Sequence, residues 1–301
     1  MTATLPPERL AAEEISHRVR FRAEWHAHRR HKTRVLITGV LVLVVMITFS
    51  ARLGEVDLAH LWDRLPRLTS YFGRMVPNLG WENLWVDLAE WYWNGRKWAA
   101  SLWQTVLIAV YATLFGAALA YIFSFLAARN LTPAPWIGVA ARRTLEFART
   151  VPELVFAVLF VFAFGIGPLA GVLAIALHSF GALGKLFGDV AENANPDEVK
   201  GVRSTGANWW QTMIFGATPQ ILPDYLSYGL LRFEINVRAA SVLGFVGAGG
   251  IGQDLYGAIK SFHHTDISAI ALMLIAAVIA IDSLCSWLRG RIIGQEGLRA
   301  L

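Results

Sequence analysis

The sequence predicts an all-α, polytopic membrane protein with about six transmembrane helices, and three observations carry that expectation. Apolar residues make up 55% of the 301 positions and charged residues only 16%, with a positive mean hydropathy, a balance foreign to soluble domains. Charge-free stretches at residues 35–51, 98–128 and 154–184 are each about as long as a hydrocarbon core requires, or longer. Lys and Arg gather in alternate connections between such stretches, which is the bias that sets membrane orientation.

Taken in order, residues 1–34 form a basic tail holding Arg9, Arg18, Arg20, Arg22, Arg29, Arg30, Lys32 and Arg34, expected as a partly helical segment at the anionic inner leaflet. The first span follows. It lies behind this polar tail and no small-residue cleavage site comes after it, so it is expected to stay in the mature protein rather than leave as a signal peptide. Residues 52–97 contain Trp62, Trp81, Trp85, Trp91 and Trp93, with Trp98 and Trp103 just beyond. An indole can bury its ring and still hydrogen-bond water, so this density predicts short amphipathic helices on the outer surface, either as an interfacial anchor or as a docking platform.

The second span is 98–128. The next apolar run is broken by Gly165-Ile-Gly-Pro168, which predicts a tight hairpin between spans three and four. Spans five and six are expected at about 222–246 and 267–288. With six spans the tail, residues 129–149, residues 185–210 and the C-terminal segment 294–301 share one face, which is then cytoplasmic and carries both termini. The net charge of +5 follows from this topology and from attraction to anionic lipid, and no nucleic-acid partner is implied. Cys285, the single cysteine, cannot form an internal disulfide and is expected to pack.

Between spans four and five several signals start a short helix: Asn195 as cap, Pro196 at the first helical position, and Glu198 three residues after the cap. Gly206 ends it. The product is a helix near 195–207 lying across the cytoplasmic face, a shape that serves either as a docking protrusion or as an ordinary connection. Within span five Arg232, Glu234 and Arg238 are charges at membrane depth, where charge is costly and marks function. Glu234 and Arg238, four apart with the acid first, can neutralise each other. Arg232, one turn from Asn236, then offers donors to an oxyanion or forms a structural ion pair. Glu153 after Pro152 is read as capping span three, and His178 and Ser179 either line a pathway or bond a neighbouring helix.

Gly247-Ala-Gly-Gly-Ile-Gly252 satisfies a dinucleotide-binding spacing, with Asp266 near the ribose distance. No alternation of strand and helix surrounds it, so Gly244, Gly247, Gly249, Gly250 and Gly252 are read as sites of close helix approach or as a gate. The pair His263 and His264 diverges on helix or strand, so no metal site is expected. No nucleophile with a matched base is visible, so the chain is not expected to be an enzyme.

The Gly206-Ala207 pair with Pro219 thirteen residues after the glycine, and Pro223 beyond, resembles the cytoplasmic coupling loop of ABC importer permeases. The run from Arg232-Phe-Glu-Ile-Asn-Val-Arg238 to Gly252 and the earlier Arg149-Thr-Val-Pro-Glu-Leu-Val155 resemble the phosphonate importer permeases in particular, over residues 98–293. The resemblance implies a MetI-like permease core, a homodimer forming the pathway, a cytoplasmic ATPase dimer that binds the ATP, and a periplasmic or lipid-anchored phosphonate-binding protein. It also implies that Glu198, Lys200, Gly201, Arg203, Gly206 and Ala207 meet the ATPase. Where that family usually has a Glu six residues before the glycine, this chain has Lys200. No Gly-x-x-x-x-Gly-Lys-Ser/Thr loop occurs, consistent with ATP bound elsewhere and no cofactor of its own. A secondary transporter of a small anion, an importer of another solute, or a membrane anchor without transport are the rival readings.

Overall fold

A computed structural model of the chain describes Trp25 and residues 32–54 and 58–297. Most of the basic tail and residues 298–301 lie outside the described residues. Every regular element among them is helical. The chain divides into two compact units, residues 1–71 and residues 72–301. In the first, α1 (Lys32–Leu53) is the expected first span, apolar and exposed along its described length. The helix α2 (Leu58–Met75) runs to the end of that unit and into the next, carrying Trp62, Leu65 and Leu68 exposed beside Arg64 and Arg67.

The second unit begins its expected surface helices with α3 (Leu84–Trp91) and then enters α4 (Gly95–Ala127), the second span. Among the seven clustered tryptophans, Trp98 is buried in a cluster with Ile251, Ile267 and Ile270. The Trp91 indole donates to the Thr265 carbonyl oxygen at 3.0 Å, while Trp81, Trp85 and Trp93 stay exposed as interfacial indoles would.

At the third span the structure departs from the sequence reading. Residues 135–150, read as part of a polar connection, form the amphipathic helix α5 (Pro135–Thr150), and α6 (Glu153–Phe164) has only 12 residues. That is about 18 Å, well short of a hydrocarbon core of about 30 Å. The two helices meet at 85° and make at most one broken span between them. The cause is local: Pro152 has no N–H to continue a ladder and drives Val151 out of the helical region, to φ −75° and ψ 124°.

The hairpin at Gly165 leads into α7 (Pro168–Glu192), which packs centrally against α4, α5 and α6. Small residues make this seam. A side chain on Gly116 of α4 would press on the Ala176 carbonyl and Ser179, and one on Gly181 of α7 would press on the α5 backbone at Leu145 and Arg149. Close backbone approach of this kind drives helix association where lipid removes the hydrophobic term.

After α7 comes the short helix α8 (Pro196–Ser204), then α9 (Trp209–Thr212), which passes through a π-helical turn at 213–217 into α10 (Thr218–Leu243). Span five is therefore the upper part of a helix that begins well before Leu222. The wider π turn sits directly ahead of Pro219, where a regular ladder would lose a bond in any case. A glycine-rich turn then bends the chain by 44° into α11 (Ile251–Lys260), and α12 (His264–Gly297) is the last span. Among the described residues four helices are long and apolar enough to cross a membrane, and up to six spans result if each bent pair counts as one.

The glycines at 244–252 are packing positions. Gly249 and Gly250 have φ of +84° and +77°, so they hold backbone that a side chain resists, with Pro168 and Thr105 directly against them. Gly244 and Gly252 touch each other, and a side chain on Gly252 would collide with the Ser241 carbonyl. Gly252→Val is therefore expected to cost about 1–3 kcal/mol through overpacking. Gly201→Ala in α8, where nothing lies within 4 Å, should be neutral or slightly stabilising. Thermal unfolding of the purified protein in detergent checks both.

Candidate functional site

Three helices and the α5–α6 bend bring polar side chains together inside the bundle. Thr113 comes from α4, His178 and Ser179 from α7, Arg232 and Asn236 from α10, and Glu153 from the first turn of α6. Ser179 and Asn236 are fully buried. Such groups cannot remain unpaired away from water, and the bonds they make fix the site.

Ser179 is the hub. Its Oγ accepts from Arg232 Nε at 3.0 Å and from Asn236 Nδ2 at 2.9 Å, and donates to Asn236 Oδ1 at 3.1 Å. Asn236 Nδ2 also donates to Thr113 Oγ1 at 2.8 Å, so both amide hydrogens of Asn236 are engaged. Asn236 thus orients the cluster and has no donor left for a ligand. His178 Nδ1 donates to the Val151 carbonyl at 3.1 Å, directly at the bend, and its Nε2 lies 3.7 Å from Glu153 Oε2. The same carboxylate oxygen lies 3.8 Å from Arg232 Nη2, which makes no hydrogen bond. The result is a largely buried guanidinium with one nitrogen tied to Ser179 and another facing a loosely held carboxylate.

The expected pairing of Glu234 with Arg238 is corrected by the structure. Glu234 Oε1 lies 2.9 Å from Arg289 Nη2, and Arg238 Nη1 lies 3.4 Å from Asp282 Oδ2, both across to α12. Packing of α12 supplies closer partners than the neighbouring turn of α10. Of Arg232, Glu234 and Arg238, only Arg232 points to the Ser179 side, while Glu234 and Arg238 belong to the α10–α12 seam. The role of Glu153 was also read too narrowly, because its place in the first turn of α6 hid that the bend carries it to Arg232 and His178. Thr113 was missed altogether, and a hydroxyl near the middle of a span was its only signal in the sequence.

At the other end of α7, α8 forms as expected, with Asn195 Oδ1 accepting from the Asp197 amide at 3.0 Å. Glu198 does not close the capping box. The Asn195 amide instead donates to Gln220 Oε1 at 2.8 Å. The helix rests on Val199, which is buried against the π turn; a side chain on Gly216 would meet the Val199 backbone at 3.2 Å. Gly206, with φ +85°, closes the turn before half-buried Ala207. Lys200 Nζ is 3.3 Å from Asp197 Oδ1, whereas Glu198 and Arg203 are exposed and carry no ion pair among the described residues. Gly201 leaves the outer side of α8 open.

Residues 120–293 match the family of binding-protein-dependent transport system inner membrane components. The chain belongs to that family. Among curated relatives of this permease, the phosphite transport system permease protein PtxC of Stutzerimonas stutzeri is 31% identical over 96% of the chain and 98% of its own length. The phosphate-import permease protein PhnE of Mycolicibacterium smegmatis is 40% identical over 74% of the chain. The match spans only 40% of that longer relative. In fold, the permease is similar to the inward-facing MetNI methionine ABC transporter, with a TM-score of 0.56 at 15% identity over 65% of this chain and 95% of that one. It is also similar to a bacterial alginate ABC transporter, with a TM-score of 0.56 at 13% identity over 84% of this chain and 95% of that one. The permease is thus a MetI-like, multi-pass component of a membrane transport system.

The Glu234–Arg289 pair sets a stability test of the permease. Removing one partner strands a buried charge and is expected to cost about 3–5 kcal/mol, so Glu234→Gln and Arg289→Gln should each lower the unfolding temperature. The double variant should recover much of the loss, which a double-mutant cycle of thermal unfolding in detergent would read.

Proposed function

We propose that this chain is the permease subunit of an ATP-driven importer that moves phosphonate, or a related phosphorus oxyanion such as phosphite or phosphate, into the cytoplasm. The observation that carries this reading is Arg232, largely buried inside a span, with Nε bonded to Ser179 and an inaccessible Nη2 without a hydrogen-bond acceptor. A guanidinium presents paired donors that match an oxyanion, and charge at membrane depth belongs to a transport path by default. Glu153 is the resting counter-ion. At 3.8 Å its contact is loose, so an oxyanion that accepts directly from Arg232 can displace it. The names of the relatives, a phosphite permease and a phosphate-import permease, support the same class of substrate.

In this reading two copies of the chain form the pathway, and an external binding protein, periplasmic or lipid-anchored, delivers the anion. A separate ATPase pair holds the ATP and docks on α8. With Lys200 held by Asp197, Glu198 and Arg203 are the charges left to pair with that ATPase. The distribution of Lys and Arg supports cytoplasmic termini. Motion of the ATPases reaches the spans as a rigid displacement of α8, through the contact of Val199 with the π turn below α10.

The direct test is uptake of labelled methylphosphonate, phosphite and phosphate into proteoliposomes, with the ATPase and binding protein supplied or withheld. ATP-dependent uptake requiring all components is expected; transport by this chain alone on a proton gradient would overturn the reading. In the same assay Arg232→Gln is expected to abolish uptake while assembly and ATP hydrolysis stimulated by the binding protein persist, whereas loss of assembly would assign Arg232 a structural role. Gly216→Val, which lifts α8 from its seat, is expected to separate ATP hydrolysis from uptake and weaken retention of the ATPase in a pull-down.

A further inference from the structure

Along α7, His178, Ala182, Lys185 and Asp189 stand at successive turns and share one face. With Arg149 and Thr150 from the end of α5 they line a groove of about 510 Å³. The groove begins where His178 meets Glu153 of the Arg232 cluster and ends in the last turn of α7, at the end of the bundle that carries α8. Lys185 Nζ lies 2.7 Å from Asp189 Oδ1, with the two side chains 41% and 54% exposed. Arg149 is exposed and makes no ion pair or side-chain hydrogen bond among the described residues. Two cations therefore face one carboxylate. Lys185 and Asp189 stand in the last two turns of α7, beyond its charge-free run, at the end of the bundle that carries α8. Their exposed side chains leave the groove open to water or a polar solute.

We propose that this groove is a second oxyanion station, in which Arg149 and Lys185 receive a phosphorus oxyanion from Arg232 past His178 and release it at the α8 face. The proposal rests on the import reading above. Between His178 and Asp189 an anion travels 11 residues of helix, about 16 Å, and without a second cation it would leave Arg232 uncompensated. Conduction is fastest when several sites each hold the ion weakly. Lys185 is suited to weak holding, because Asp189 stands ready to take its ammonium back.

The test uses the complete transporter with Ala182→Cys in a Cys285→Ser background, probed from the α8 side with two membrane-impermeant thiol reagents of similar size and opposite charge. The anionic reagent is expected to react on the order of tenfold faster than the cationic one, from the net positive lining. Arg149→Gln should remove most of that preference, and inorganic phosphate should slow modification. Leu186→Cys, on the same wall, serves as the reporter if the Ala182 variant fails to assemble. No reaction with either reagent would overturn the proposal, as would equal rates without phosphate protection. If the unmodified transporter takes up none of the three oxyanions, yet charge preference and phosphate protection remain, the import reading falls and the groove stands as an anion site.

Discussion

Close approach of α7 to α4 and α5 is the constraint on which the rest of the permease depends. Gly116 lets Ser179 and Ala176 sit against α4, and Gly181 lets the α5 backbone lie on α7. At that spacing the Ser179 hydroxyl reaches Asn236 and Arg232 on α10, and Asn236 reaches Thr113 on α4. The polar cluster is thus a consequence of small residues. A larger side chain at either glycine would separate the helices and strand a buried amide and a guanidinium, groups whose desolvation is expensive when unpaired.

The second organising element is the break at Val151-Pro152. A continuous helix there would have run straight across, placing Glu153 one turn further along an uninterrupted span. The 85° bend instead turns α6 so that Glu153 faces Arg232 and His178, while His178 clasps the Val151 carbonyl exposed by the bend. One proline therefore supplies both the counter-ion and the anchor that holds it. At the opposite end of α10, the π turn gives α8 a flat seat at Gly216, so the element suited to docking and the helix bearing Arg232 belong to one mechanical piece. Three charges of α10 divide along the same logic: Arg232 faces α7, while Glu234 and Arg238 are held by Arg289 and Asp282 of α12.

Much of this was legible in the residues. Apolar runs about as long as a bilayer core, or longer, indicated the class and the spans at α1, α4, α7 and α12, because length and hydropathy are local properties. The short helix α8 was legible too, since Asn195, Pro196 and Gly206 act on their own backbone. The weight placed on Arg232 needed only the rule that a charge inside a span is expensive. The third span was misjudged because α5 is amphipathic and α6 too short, and neither alone looks like a crossing helix.

What the sequence by itself determined is the class of molecule, the position of its apolar segments and the identity of its unusual charges, all of which follow from propensity, capping and transfer energy within a few residues. Only the tertiary structure decided who pairs with whom. Glu234 chose Arg289, 55 positions away, over Arg238 four positions away, and Asn236 spent its donors on Thr113 and Ser179. The groove beside Arg149 likewise exists only once α5 lies on α7. The physical reason is that partner choice in a bilayer is set by which side chains helix packing brings within about 3 Å, and local spacing along one helix cannot report that.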